Sequence, residues 1–260
     1  MTFIPVANPQ AYDKHLRFVE RNLNRCLYPK DKPAAYEDHL DTQLCAELDN
    51  ADVLLDIHSY HTNGGAFGFI GTTSQAEIDY AIALGLKHYV YGWSEAFSND
   101  TPSNIFDSMG TTEYTRHIGD LPALSDGTII HKDKGGIAIT LECGQHDNPD
   151  NAAIAYDAII KALIHLGMIK SDEDHNRTEP PIFIQMQTVF IKEKPGRFVQ
   201  DWGHCDTVQK GQIIAIYDDG EEVRAPEDGL LVLPYARSDH SKKEEWFYFG
   251  KQTDSPPPKN

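Results

Sequence analysis

A chain of 260 residues, 40% hydrophobic and 24% charged, suffices for one large globular domain or two modest ones. Forty acidic against 23 basic residues give a formal charge of −17, which disfavours nucleic acid and anionic membranes while still allowing a few local arginines to bind a small anion. Four cysteines without a C-x-x-C pair (Cys26, Cys45, Cys143, Cys205), no signal peptide in Met1-Thr2-Phe3-Ile4-Pro5 and no apolar run long enough to span a bilayer point to free thiols in a cytoplasmic protein.

In chain order, Phe3-Ile4-Pro5-Val6 reads as a short strand entering a turn at Asn8-Pro9. After Pro33, Tyr36, Leu40, Leu44 and Leu48 recur every four positions, one face of a helix. Val53 to Ile57 reads as a buried strand that stops at His58. Ser74 caps a second helix, with Glu77 as the other half of a capping box and Ile78, Ile82, Leu86 and Tyr89 as its buried face. Residues 94–128 lack a period and read as a long loop region with short elements. Gly135-Gly136 opens the near-continuous apolar strand Ile137 to Leu141, of the kind buried in a parallel sheet. A helix follows from about Ala152 to Leu166, with Ile159, Ile160, Leu163 and Ile164 as core. Strands alternating with helices predict an α/β fold, a sheet covered on both faces. The charged stretch from Lys170 to Asp174, ending at Pro180-Pro181, marks a boundary. Beyond it, Ile182 to Ile191, Gln212 to Tyr217, Leu230 to Leu233 and Trp246 to Phe249 read as short strands of a compact barrel or sandwich. The expected division is an α/β domain over 1–172, a β domain over 181–251 and a disordered tail over 252–260, where Pro256-Pro257-Pro258 cannot join a sheet.

Three groups carry chemistry. Alternation puts Asp56 and His58 on one side of a strand, at the carboxyl end where α/β sheets place their sites, as in a metal-binding histidine oriented by a carboxylate. The competing reading is a structural histidine. His61 is a second, weaker candidate, and Gly64-Gly65 gives its loop freedom to approach a ligand. Glu142, at the mouth of the strand from Ile137, is either a general base or the partner of a nearby arginine. The cluster Arg17, Arg21, Asn24 and Arg25 is either a solvated helix face or, since like charges at i, i+4 repel, an anion site whose guanidinium forks take a carboxylate.

Ile4-Pro5-Val6-Ala7-Asn8-Pro9, Arg17, Asn24-Arg25, Asp56-Ile57-His58 and Thr140-Leu141-Glu142-Cys143-Gly144 follow one another in an order that resembles the succinylglutamate desuccinylase/aspartoacylase family of zinc-dependent deacylases. The resemblance implies a carpet of expectations: a carboxypeptidase-like mixed α/β sheet with helices on both faces, followed by a small all-β domain of lipoyl-like cadence. It implies His58 as a zinc ligand with Asp56 behind it, and Glu142 as general base. Asn24 and Arg25 would hold the substrate carboxylate, and Arg17 would polarise the scissile carbonyl. The implied reaction is hydrolysis of the amide bond of an N-acyl amino acid or similar small carboxylate, on a metal-bound water. The family's other two zinc ligands come from a His-Gly-x-Glu motif that this sequence does not contain. His61, His117, His131 and His146 are the available substitutes, and Tyr114 and Arg116 are candidate pocket residues. The sequence therefore predicts a shortened deacylase with an incomplete zinc site, or a non-catalytic remnant that binds a small carboxylate without zinc. A third reading gives the C-terminal β region a structural or partner-binding role.

Overall fold

The computed structural model describes residues 1–71, 74–93, 96, 109–117, 135–170 and 180–254. These fall into two compact units, the first comprising 1–56 and the described part of 102–139, the second the described parts of 57–101 and 140–260.

The first unit opens differently from expectation. Residues 1–8 form no strand; Phe3 and Ile4 are exposed. Instead Asn8 caps a short helix, α1 (Pro9–Asp13), accepting from the Ala11 N–H at 3.1 Å, with Pro9 at the first helical position. Helix α2 (Tyr36–Leu48) follows the predicted period. Its apolar residues Leu44 and Leu48 pack with Leu23, Leu27, Met109 and Tyr114, the last two from α4 (Thr111–His117) and the turn before it.

Among the described residues an eight-stranded mixed sheet runs in the order β1-β4-β2-β3-β5-β11-β10-β7; the unit boundary falls within β1 (Val53–Tyr60) and β4 (Ile137–Gln145). β2 (Phe67–Ile70) pairs parallel with β3 (His88–Tyr91), and β3 parallel with β5 (Ile182–Ile191). From β5 the ladder turns antiparallel through β11 (Glu245–Thr253), β10 (Gly229–Val232) and β7 (Asp206–Val208). A second, three-stranded sheet orders β6 (Gly196–Phe198), β8 (Ile213–Tyr217) and β9 (Glu222–Arg224). Of the seven described strands from β5 onward, four (β5, β7, β10 and β11) lie in the main sheet and three (β6, β8 and β9) form the second.

Each departure from the predicted elements has a local cause. β4 is buried along nearly its whole length, as its apolar run requires. β1, outermost among the described strands, is only half-buried and continues past His58 to Tyr60. Helix α3 (Gln75–Ala83) is capped by the Ser74 hydroxyl, which accepts from the Glu77 N–H, but ends before Leu86 and Tyr89. Gly85 sits at φ +73°, turning the chain so that Tyr89 enters β3, while Ile82, inside α3, lies at the surface. In α5 (Asn151–His165) the fully buried positions are Ala158 and Ala162; the neighbouring isoleucines and Leu163 are half-buried. β11 reaches Thr253, so Gln252 and Thr253, expected in a tail, pair with Ile184 and Phe183. Residues 255–260 lie outside the described residues.

An aromatic core closes the C-terminal strands: Phe247 is fully buried and stacks on Phe190 at 4.4 Å, with Trp246 and Phe249 beside it. Truncation at such a site loses transfer energy and leaves a cavity. Phe247→Ala is expected to lower unfolding stability by about 3–5 kcal/mol, measured by urea denaturation.

Candidate active site

The arginine cluster is not a helix face. Residues 17–25 run as turns and bends, so the i, i+4 argument does not apply to them. What holds the segment is the acidic first half of α2. Glu37, fully buried, accepts three successive backbone N–H groups, from Val19 at 2.6 Å, Glu20 at 3.2 Å and Arg21 at 3.1 Å, and the Asn8 amide at 3.0 Å. Burial pushes its pKa up, but these four donors outweigh it and hold the carboxyl below its usual range. Asp38 accepts from Arg21 Nε at 3.0 Å and from the N–H groups of Ala34 and Ala35, both at 3.0 Å. Burial again opposes ionisation; the two backbone donors and the charges of Lys30 and Arg21 win and bring it down to about 2.

Arg21 completes this lattice. Its second nitrogen reaches the buried Asp41 at 2.6 Å, and Lys30 bonds the same oxygen. Arg21 is therefore a structural ion-pair residue and not part of an anion site. Arg21 and Lys30 also donate to the carbonyls of Arg25 and Cys26, so the segment's backbone is fixed from within. Arg17, Asn24 and Arg25 are what it presents: Arg17 exposed, Asn24 and Arg25 half-buried, the Arg25 guanidinium also touching the Asn24 carbonyl at 2.7 Å.

Asn24 leads to a second chain of bonds within the same unit. Its Oδ1 accepts from the Thr111 N–H at 3.0 Å, and the Thr111 hydroxyl bonds the Asp56 carboxylate. Asp56, two residues before His58 in sequence, is thus tied to the helix that contacts Asn24. Neither Thr111 nor Glu37 was found from sequence. The signal for Glu37 was available, three acids at 37, 38 and 41 on one helix facing Arg21 and Lys30 in charge; for Thr111 there was none.

In the second unit, His58 and Glu142 lie toward the carboxyl ends of neighbouring strands, β1 and β4. There the His146 N–H donates to the Tyr60 carbonyl at 2.9 Å. Glu142 is 9% exposed, between buried Leu141 and Cys143. Beyond it the Ser59 hydroxyl meets His146 Nδ1 at 2.7 Å, and His61 lies between rings, edge-on to His146 at 4.3 Å and stacked on Tyr235 at 4.9 Å. The loop after His61 is clamped, not free: Thr62 donates to the Trp202 carbonyl at 2.9 Å and the His204 N–H to the Asn63 carbonyl at 2.6 Å. Gly64, at φ +149°, serves this packing, since a Cβ there would meet Tyr60 Oη at 2.7 Å and His204 Cβ at 2.8 Å.

Other candidates turn inward. Tyr114 is fully buried and bonds Asp49 at 2.7 Å; Arg116, also buried, bonds Glu113 at 3.2 Å and the Ala138 carbonyl. Both serve the packing of α4. His131 lies outside the described residues, as does the side chain of His117. Among the described residues, no group of three or more His, Cys, Asp or Glu side chains is placed to hold a metal ion. A catalytic zinc needs about three protein donors, so the described side chains do not fit one; His61 and His146 pair with each other and with Tyr235 or Ser59, and do not complete a set around His58.

Residues 1–115 match the succinylglutamate desuccinylase/aspartoacylase catalytic domain. The resemblance read from the sequence is to this family, and it holds. Among solved structures, a succinylglutamate desuccinylase/aspartoacylase from Rhodobacter sphaeroides superposes with a TM-score of 0.69 at 15% identity, over 96% of this chain and 74% of the other. The product-bound ectoine utilization protein EutE (DoeB) from Ruegeria pomeroyi gives 0.69 at 18% identity, over 96% and 74%. Murine aminoacylase 3 gives 0.58 at 16%, over 95% and 82%. No curated protein matches the sequence. The fold is accordingly the mixed α/β fold of the carboxypeptidase-like deacylases, and the family segment includes Arg17, Asn24, Arg25, Asp56 and His58.

The α2 lattice generates a pH dependence. A carboxyl held below its unfolded value stabilises the fold above that value, and the contribution is lost as pH falls toward the folded one. For Asp38 the window runs from 3.8 down to about 2. Thermal melting is expected to drop across that window, and Asp38→Asn to flatten the drop while costing about 1–3 kcal/mol at pH 7.

Proposed function

We propose that this chain binds an N-acyl amino acid or a similar small carboxylate and that its chemistry is deacylation, hydrolysis of the amide bond. The family match and the structural neighbours are deacylases by name, which supports the reaction class. The observation that carries the substrate class is that Arg21, held by the buried carboxylates of Asp38 and Asp41, donates to the Arg25 carbonyl and so braces the segment that presents Asn24 and Arg25. Holding charged groups in a buried lattice contributes little net stability and is best understood as fixing one arrangement of the segment they support.

In this reading Arg25 takes the substrate carboxylate through its fork, Asn24 adds donors, and Arg17 polarises the scissile carbonyl. Glu142 accepts a proton from the attacking water and returns it to the departing nitrogen as the C–N bond breaks, releasing a carboxylate and an amine. Were a zinc ion held, His58 would be one of its ligands and the ion would lower the pKa of a water. Because the described side chains supply no set of three donors, no step here depends on that ion. The same observation favours a second reading, carboxylate binding without turnover.

We place the chain in the cytoplasm. None of the four cysteines forms a disulfide, and burial pushes Cys45 and Cys205 up to about 12 and Cys143 up to about 11, which suits thiols kept in a reducing compartment. Among the described residues no helix is long and apolar enough to cross a membrane.

The purified chain is expected to contain far less than one zinc per molecule by elemental analysis, to bind N-acetyl-L-aspartate or N-succinyl-L-glutamate in calorimetry, and to hydrolyse them slowly. Stoichiometric zinc would refute the incomplete site. Absence of any carboxylate binding would refute the substrate class. Where turnover is measurable, Glu142→Gln is expected to lower it about 10²–10⁴-fold with ligand affinity retained; undiminished turnover removes Glu142 from its role.

A further inference from the structure

The fold fixes the Asn24 side chain from two directions. Its Oδ1 accepts from the Thr111 N–H at 3.0 Å. A backbone N–H only donates, so this contact decides which end of the amide is oxygen. Gly110 permits the approach: a Cβ there would lie 2.1 Å from Asn24 Oδ1 and 2.8 Å from its Cγ. The turn is itself anchored. The Leu27 N–H donates to the Met109 carbonyl at 3.0 Å, the Tyr114 N–H to the Gly110 carbonyl at 2.9 Å, and Met109 is fully buried beside Leu23, Leu27 and Tyr114. Residues 24–27 and 109–111 are therefore joined by two hydrogen bonds and a common core, and the amide cannot turn over without breaking one of them.

We propose that Gly110-Thr111 is a positioning element that turns the oxygen of Asn24 toward the Thr111 N–H, so that the amide presents its N–H₂ end to a ligand and selects a carboxylate over the corresponding amide. The proposal rests on the carboxylate-binding reading of Asn24 and Arg25. Arg25 also can only donate. Two donor groups adjacent in sequence match the two acceptor oxygens of a carboxylate. A primary amide sets an N–H₂ group against one of them, leaving donor facing donor, which is the kind of mismatch that discriminates strongly.

Thr111 is the first residue of α4, a position where proline is tolerated because its missing N–H is not part of the helix ladder. That allows the hydroxyl and the N–H to be separated. Thr111→Ser keeps both, Thr111→Val loses only the hydroxyl that bonds Asp56, and Thr111→Pro loses both. Affinity for N-acetyl-L-aspartate and for its diamide would be measured by calorimetry on the full chain, with melting temperature recorded for each variant. The Ser variant is expected to bind the acid as the parent does, and the Val variant within about threefold. The Pro variant should lose about tenfold, the scale of one hydrogen bond, together with most of the preference for acid over diamide. Gly110→Ala, which pushes the amide away without touching Thr111, should behave like the Pro variant and stands in for it if that fails to fold. Equal acid affinity in the Pro and Val variants, or an unchanged preference in Gly110→Ala, overturns the proposal.

A ligand-free measurement separates this from the reading beneath it. Exchange of the Thr111 amide hydrogen, followed by NMR, should be slow in the parent and about tenfold faster in Asn24→Ala. Exchange indifferent to Asn24 overturns the orientation. Protected exchange in a chain that binds no carboxylate leaves the orientation standing and overturns the selectivity along with the carboxylate-binding reading.

Discussion

The Glu37 carboxylate is the interaction on which the N-terminal half of the candidate site depends. A carboxylate removed from water is costly unless its lone pairs are filled, and Glu37 fills them with three consecutive backbone N–H groups and an asparagine amide. The same four bonds that satisfy the charge also determine the path of residues 19–21, which have no secondary structure to determine it. Asp38 and Asp41 extend the arrangement through Arg21 and Lys30. A segment rich in cationic and polar side chains is thereby made rigid by the neighbouring helix. Rigidity of this kind reduces what a ligand must spend on ordering its receptor.

Much of the fold was legible because its signals are local. The period of Tyr36, Leu40, Leu44 and Leu48 identifies α2, and the apolar run from Ile137 identifies β4. The misreadings came where a local pattern was overridden. Phe3 to Val6 has strand composition but finds no described strand to pair with, while Pro9 and the Asn8 cap begin a helix. Leu86 and Tyr89 continue the helical spacing of α3, yet Gly85 at positive φ ends it. Nothing in Ile182 to Ile191 read alone announces that β5 pairs with β3.

The candidate site was legible only in its residue types. Asn24, Arg25, His58 and Glu142 were singled out as residues of unusual chemistry in telling places, and a family resemblance gave them roles. What spacing did not disclose is how Arg21 differs from Arg25. The difference lies in Asp38 and Asp41, more than a dozen residues away, which take one arginine and not the other. Thr111 was invisible for the same reason: its importance comes from Asn24 and Asp56, each distant in sequence. Long-range polar partners have no periodicity to read.

The pairing of β3 with β5 has a consequence for how the protein is made. His88 and Tyr89 find their partners, Ile182 and Phe183, about ninety residues downstream. At a ribosomal rate of about 5–20 residues per second, that edge of the growing sheet waits on the order of 5–20 s before its partner is even synthesised. During that interval Tyr89 and Val90, fully buried in the finished protein, present an uncovered β edge of the sort that templates unwanted association.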